Sequence, residues 1–237
     1  KKVLFILVAS DKGLAGAFNS SLFRKFESYI KEDNKGDKLF MAVGEKSFTY
    51  LKRKGFDVLK KIVQVGDYTE TNEVLPLADF IVEGYLEKKW DKVVVFSTHF
   101  RSALKQEPLI REVLPVDFDR IYEIVSGIIP TTGKFAELIK EHDLHFVEKK
   151  NIKDYLIEPS REKVLKGLAK HLLFMQIYHL ILEANAAEHS ARRMAMKTAS
   201  DNASDLGENL NLQYNKVRQA NITKEIIEIV AGSEALQ

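Results

Sequence analysis

After Pro159 the chain contains no further proline, and nothing between Ser160 and Ala235 forces a break in a helix. Run as one helix, that stretch would be about 110 Å long at 1.5 Å per residue. A compact body built from the remaining residues is far shorter, so such a helix has to project from it. A projecting helix is marginal in water unless something covers its apolar side. The weakest point is Asp201-Asn202-Ala203-Ser204. A break there would give the competing arrangement, two or three shorter helices folded back on one another.

The apolar seam changes character along this stretch. Leu165, Leu168, Leu172, Met175, His179 and Leu182 alternate steps of three and four, the coiled-coil pattern. Ala195, Ala199, Ala203, Leu206, Leu210, Tyr214 and Val217 are spaced mostly by fours, a period that suits a straight or slightly right-handed pair. Alanine at contact positions lets two helix backbones approach closely. Ser160 is the expected N-cap, with Glu162 in the first turn where the helix dipole favours it. Gly207 costs about 1 kcal/mol relative to Ala inside a helix, which predicts a close neighbour or a bend at that point. At the far end Ile226, Ile227, Ile229, Val230, Ala231 and Leu236 are apolar on more than one side. A hydrophobic sleeve on a partner accounts for this. Membrane insertion does not, because Lys224, Glu225, Glu228 and Glu234 interrupt the run well short of the ~20 apolar residues a span needs.

Composition narrows the classes. In 237 residues, 36 basic and 34 acidic groups leave a formal charge of +2, so no polyelectrolyte bias favours nucleic acid. From Arg161 onward ten Lys or Arg face nine Asp or Glu, which is not a basic stripe. Cysteine is absent, which excludes disulfides, thiolate metal sites and cysteine nucleophiles. No secretory signal or membrane-spanning run is visible. The chain opens at Lys1 and enters a strand almost at once without an initiator Met, as a trimmed start would.

The first 159 residues read as an α/β body. Val3-Leu4-Phe5-Ile6-Leu7-Val8 is a continuous apolar run suited to a strand covered on both faces. A turn at Ser10-Asp11-Lys12-Gly13 leads to a helix through Leu22 to Ile30. Lys38 to Val43 forms a second strand ended by Gly44, followed by a short helix from Glu45 to Lys54. Val58 to Val65 suits a third strand, Asn72 to Leu86 a helix, and Lys92 to Phe96 a fourth strand. The alternation predicts a largely parallel sheet. Phe100 to Val113, around Pro108, reads as an excursion or hairpin. Residues 117–150 read as a surface insertion, and Tyr155-Leu156-Ile157 as a short strand handing over to the long helix.

The glycine turn raises the possibility of a phosphate site, since dinucleotide enzymes hold pyrophosphate on a helix N-terminus after the first strand. Glu45, just past the second strand, is placed where a ribose-binding carboxylate could sit. Only Gly13 and Gly16 are present, however, one short of Gly-x-Gly-x-x-Gly and differently spaced, and no Gly-x-x-x-x-Gly-Lys-Ser/Thr occurs. Thr131-Thr132-Gly133-Lys134 is a chance fragment of such a motif. A tight βα turn needing glycine conformations explains the sequence more simply. His142 and His145 could share a metal but lack an obvious third ligand. His171 and His179 lie on the long helix, and His99 and His189 are isolated. Glu107, Glu112, Asp117 and Asp119 form a loose acidic cluster without an evident partner. No nucleophile–base pair is found.

These residues together resemble the gamma subunit of F-type ATP synthases. The resemblance rests on Ser10-Asp11-Lys12-Gly13-Leu14-Ala15-Gly16-Ala17-Phe18-Asn19 and on Tyr155-Leu156-Ile157-Glu158-Pro159-Ser160. It is densest in Glu188 to Lys197, Asp201-Asn202, Tyr214 to Thr223 and Glu228 to Gly232. The middle, from Asp57 to Lys153, matches loosely. The resemblance implies a Rossmann-like foot over 1–159 and a shaft over 160–237. It implies a non-catalytic central-stalk rotor without cofactor or metal, turning inside a ring of alpha and beta subunits and coupling ion flow to ATP synthesis or hydrolysis. Arg218, Gln219 and Thr223 match positions that touch beta-subunit loops, Arg192 another coupling position, and Ile226, Ile229 and Val230 would sit in the sleeve. The foot would meet the epsilon subunit and the membrane ring of c subunits. Localisation would be peripheral, on the cytoplasmic face of a bacterial membrane or the matrix side of a mitochondrial one.

One departure is large. Family members begin with a long helix that pairs antiparallel with the C-terminal one, and this stretch lacks it, so the alanine seam is half of a coiled coil. That helix is expected to have been removed or deleted. The absence of cysteine speaks against the chloroplast type. The alternatives are a nucleotide- or dinucleotide-binding α/β enzyme with a helical oligomerisation arm, and a plain coiled-coil scaffold.

Overall fold

In the computed structural model, residues 1–32, 36–63, 69–116 and 158–234 are described. The elements run β1 (Lys2–Val8), α1 (Phe18–Glu32), β2 (Asp37–Val43), α2 (Glu45–Arg53), β3 (Val58–Ile62), α3 (Thr71–Leu86), β4 (Lys92–Phe100), β5 (Gln106–Leu114) and α4 (Arg161–Glu234). The five strands lie in the order β3-β2-β1-β4-β5. All neighbours are parallel except β4 and β5, which form an antiparallel hairpin. The apolar run of β1 explains its central position: every residue from Val3 to Val8 is buried. Pro108 cannot donate to a ladder, and it sits on the edge strand β5 opposite Thr98. Of the excursion and the hairpin that Phe100 to Val113 suggested, the hairpin is the one formed.

Alternating side chains of the strands supply two cores. Phe5, Leu7, Phe40 and Phe96 pack with Leu22 and Phe26 of α1 and Tyr50 and Leu51 of α2. Leu4, Ile6, Met41, Val43, Val93 and Val95 point the other way, toward α3 and α4. Trp90 closes that second core by donating its indole N–H to the Ile81 carbonyl at 3.2 Å. The chain builds β1-α1-β2-α2-β3 outward on one face, then crosses back through α3 to place β4 on the far side of β1. The topological switch point thus lies between β1 and β4.

Helix α4 is unbroken over 74 residues. Ser160 caps it, its hydroxyl accepting the Lys163 N–H at 3.3 Å. The helix passes through Asp201–Ser204 without interruption. A Cβ on Gly207 would meet nothing within 4 Å, so no close neighbour lies there among the described residues.

The face that α4 turns to the sheet also differs from the seam picked out above. Leu173, Ile177, Leu180, Ile181, Ala184 and Ala187 are buried, each large aliphatic contributing about 1.5–3 kcal/mol. Leu168, Met175 and Leu182 of the predicted seam remain 47%, 45% and 38% exposed. Two rows with the same alternating spacing run along the inner helix, and spacing alone does not say which one meets the sheet. From Met196 outward the described side chains are all exposed, including Leu206, Leu210, Tyr214 and Val217.

Other boundaries moved modestly. β3 ends at Ile62, β4 runs on to Phe100, and α1 starts at Phe18. Two members of the acidic cluster have basic partners: Glu107 pairs with Arg101 and Lys105 at 3.2 and 2.7 Å, and Glu112 with Lys92 at 3.0 Å. The insertion at 117–150, the strand at Tyr155–Ile157, and His142, His145, Asp117 and Asp119 lie outside the described residues.

Candidate functional site

The glycine turn after β1 is shaped by internal bonds. The Asn19 amide donates to the Ser10 hydroxyl at 2.7 Å, and that hydroxyl donates to the Lys12 carbonyl at 2.7 Å. Asp11 reaches across to accept the Glu45 N–H at 2.8 Å, and the Ser10 carbonyl accepts the Lys46 N–H at 3.0 Å. These two bonds satisfy the first N–H groups of α2 and tie its start to the turn after β1. Glu45, the candidate ribose ligand, pairs instead with Lys61 at 2.7 Å.

Helix α4 occupies the crevice itself. Ala15 and Phe18 pack with Ala187. A Cβ on Gly16, which has φ +57°, would lie 3.5 Å from the Ala195 methyl. The turn is a seat for the helix. A cleft of about 700 Å³ remains between Asp11, Lys12, Glu45, Asn185, Glu188 and Arg192, and its acidic and basic groups oppose one another.

Four polar bonds hold α4 where it leaves the body. Glu183 and His99 of β4 meet at 2.8 Å between Oε2 and Nδ1, both almost wholly buried, with His179 Nε2 at 3.6 Å from the other carboxylate oxygen. Burial pushes the Arg111 guanidinium of β5 below its ordinary value, and the Glu183 carboxylate counters that push. The Asn185 amide donates to the Thr69 hydroxyl at 2.6 Å, and the Ser190 hydroxyl to the Ala103 carbonyl at 2.9 Å. Arg192 donates from Nε to the Gly13 carbonyl at 3.2 Å and pairs with Glu188 one turn back.

Of the residues singled out in the sequence, Arg192 is therefore at this collar, with its side chain 23% exposed. The others lie on the bare outer helix, starting about 40 Å further along the axis at 1.5 Å per residue. Gln219, Thr223, Ile226 and Val230 share one stripe at the helical period, while Arg218 and Ile229 lie to one side of it. The Thr223 hydroxyl donates to the Gln219 carbonyl at 2.9 Å. Ile226, Ile229 and Val230 are 56%, 72% and 52% exposed. Isolated exposed aliphatics are ordinary, but Ile222, Ile226, Ile229 and Val230 gather on one side of the last turns and are all exposed, which marks an interaction surface.

Sequence reasoning left His99 unassigned and passed over Glu183, Asn185 and Thr69. The one local signal was the His179–Glu183 spacing of four, which places both on the same side of the helix. Among the described residues no group of three or more His, Asp or Glu could hold a metal ion, and no helix is long and apolar enough to cross a membrane.

An open, mostly parallel sheet carries one long helix packed on the turn after β1, and the outer part of that helix is bare among the described residues. A family model described as ATP synthase matches residues 1–236. The chain is 35% identical over 237 residues to the ATP synthase gamma chain of Moorella thermoacetica, covering 100% of this chain and 74% of that one. It is 34% identical over 238 residues to the gamma chain of Roseiflexus castenholzii, covering 100% and 73%. In structure it is similar to a chain of the Euglena gracilis mitochondrial ATP synthase, in an assembly of OSCP, F1 and c-ring in rotational state 3. That TM-score is 0.64 at 17% identity, over 99% of this chain and 72% of that one. The chain belongs to the ATP synthase gamma chain family.

Proposed function

We propose that this gamma chain is the central-stalk rotor of an F-type ATP synthase. The observation that carries the reading is a single 74-residue helix anchored at its inner part and exposing a cluster of large apolar side chains at its outer part. A bare rod of this kind needs a surrounding partner. A ring of alpha and beta subunits supplies one, with the beta subunits holding the nucleotide sites and this chain contributing none. Residues 1–159 form the foot and 160–237 the shaft. As the shaft turns, its asymmetric surface meets each beta subunit differently, which links ion-driven rotation to ATP synthesis or hydrolysis.

Within that reading Arg218, Gln219 and Thr223 contact beta-subunit loops, and Ile226, Ile229 and Val230 ride in an apolar sleeve. Arg192 presents the exposed part of its guanidinium at the collar. The foot meets the epsilon subunit and the ring of c subunits, which makes the association with the membrane peripheral. The c-ring and F1 named for the Euglena assembly support these partners. The dinucleotide-enzyme alternative is not favoured, because Glu45 pairs with Lys61 and the long helix packs on the turn after β1.

Co-expression with candidate alpha and beta subunits tests the reading. The chain is expected to co-purify with a hexamer of two larger ATP-binding subunits. Tight binding of ATP or NAD to the isolated chain in calorimetry, with no such hexamer, would overturn it.

A further inference from the structure

The polar bonds at the collar have a regular arrangement. Successive residues of an α-helix are rotated by about 100°. Glu183 and Ser190, seven apart, therefore fall within about 20° of each other, and both tie to the β4–β5 hairpin through His99 and Ala103. Asn185 and Arg192 are likewise seven apart, and tie to Thr69 and Gly13 in the segments leading into α3 and out of β1. The buried row through Leu180, Ala184 and Ala187 lies between them, with one polar row roughly 80° to one side and the other roughly 120° to the opposite side.

We propose that these two rows form a keyed socket that prevents α4 from rolling about its own axis against the sheet. The apolar row cannot do this alone. Toward the exit it narrows to Ala184 and Ala187, small side chains with no directional bonds that interlock poorly against rotation. Hydrogen bonds depend on direction. Rolling one way stretches the Glu183 row, and rolling the other way stretches the Asn185 row. Burial sharpens the Glu183 contact: its side chain is 10% exposed and that of His99 8%, so a displaced carboxylate has little water to replace its partner. Glu183, Asn185 and Ser190 are positioning residues. The inference deepens the rotor reading and rests on it for its consequence, that torque passes between shaft and foot through the socket.

The test has two arms. With no native cysteine in the chain, Asp57→Cys and Asp201→Cys accept one spin label each, on the body and on the outer helix. In the full chain, Glu183→Met/Asn185→Ala/Ser190→Ala is expected to broaden the label–label distance distribution about twofold or more, since three directional bonds are gone. Asn185→Ala/Ser190→Ala leaves the buried charge in place, guards against misfolding of the triple variant, and should broaden the distribution by a smaller factor. A distribution as narrow as the parent's in either variant overturns the socket.

In the assembled complex, the triple variant is expected to hydrolyse ATP within about twofold of the parent while ions pumped per ATP fall about threefold or more. A loss of folding would lower both together and leave their ratio unchanged, and that result also overturns the socket. A parent complex that hydrolyses ATP without pumping counts against the rotor reading alone, and the label distances then decide the socket by themselves.

Discussion

Gly44→Ala is expected to destabilise the chain by about 3–5 kcal/mol. Gly44 ends β2 with φ 91° and ψ 150°, a region open essentially only to glycine. Its N–H donates to the Ile62 carbonyl at 2.8 Å, which ties β2 to β3 and sets where α2 begins. An added Cβ would lie 2.0 Å from the Ala9 carbonyl oxygen and 2.8 Å from the Ala9 carbonyl carbon. Both are backbone atoms, so no rotamer change relieves the overlap. The Asp11–Glu45 bond would shift with it, and the seat of the long helix is built on that bond. Thermal unfolding followed by circular dichroism checks this, with a drop in Tm of roughly 10 °C expected. A shift of a degree or two would show that the strand end deforms freely.

The second large effect is functional and should leave the fold alone. Gln219→Leu is expected to cut ATP turnover of the assembled complex by roughly 3- to 10-fold, the worth of a lost interfacial hydrogen bond. Gln219 lies on the exposed outer helix, in one stripe with Thr223, Ile226 and Val230. Leucine has a slightly better helix propensity than the residue it replaces, so melting of the isolated chain should not change. Turnover equal to the parent's would remove Gln219 from the coupling contacts and shift attention to its neighbours Arg218 and Thr223.

The elements that were legible in the sequence are those whose signal is local. β1 announced itself as six consecutive apolar residues, and it is covered on both sides. The long helix followed from the absence of proline after Pro159 and from Ser160 at its start, and the cap forms as expected. The bareness of its outer part followed from apolar residues that no element of the body was long enough to reach.

What stayed illegible depends on residues far apart in the chain. Leu168 and Leu173 stand on rows with the same spacing, and only the position of the sheet decides that Leu173 is buried. His99 read as isolated because its partner Glu183 lies 84 positions away. The Arg192 Nε bond to the Gly13 carbonyl spans 179 positions. The bonds that tie the collar to the body are all such pairs, and the His179–Glu183 spacing of four is the one local mark of it. The glycine turn illustrates the same point. Its residues permit a phosphate loop or a seat for a helix, and the occupant is decided by what packs against Gly16.

The central claim is that this helix turns inside its partners. With the hexamer fixed to a surface and a bead attached at an introduced cysteine on the foot, ATP should drive one-directional rotation of the bead in three equal steps per turn, one for each beta subunit. An immobilised complex that hydrolyses ATP at full rate while the attached bead shows only undirected wobble would contradict it.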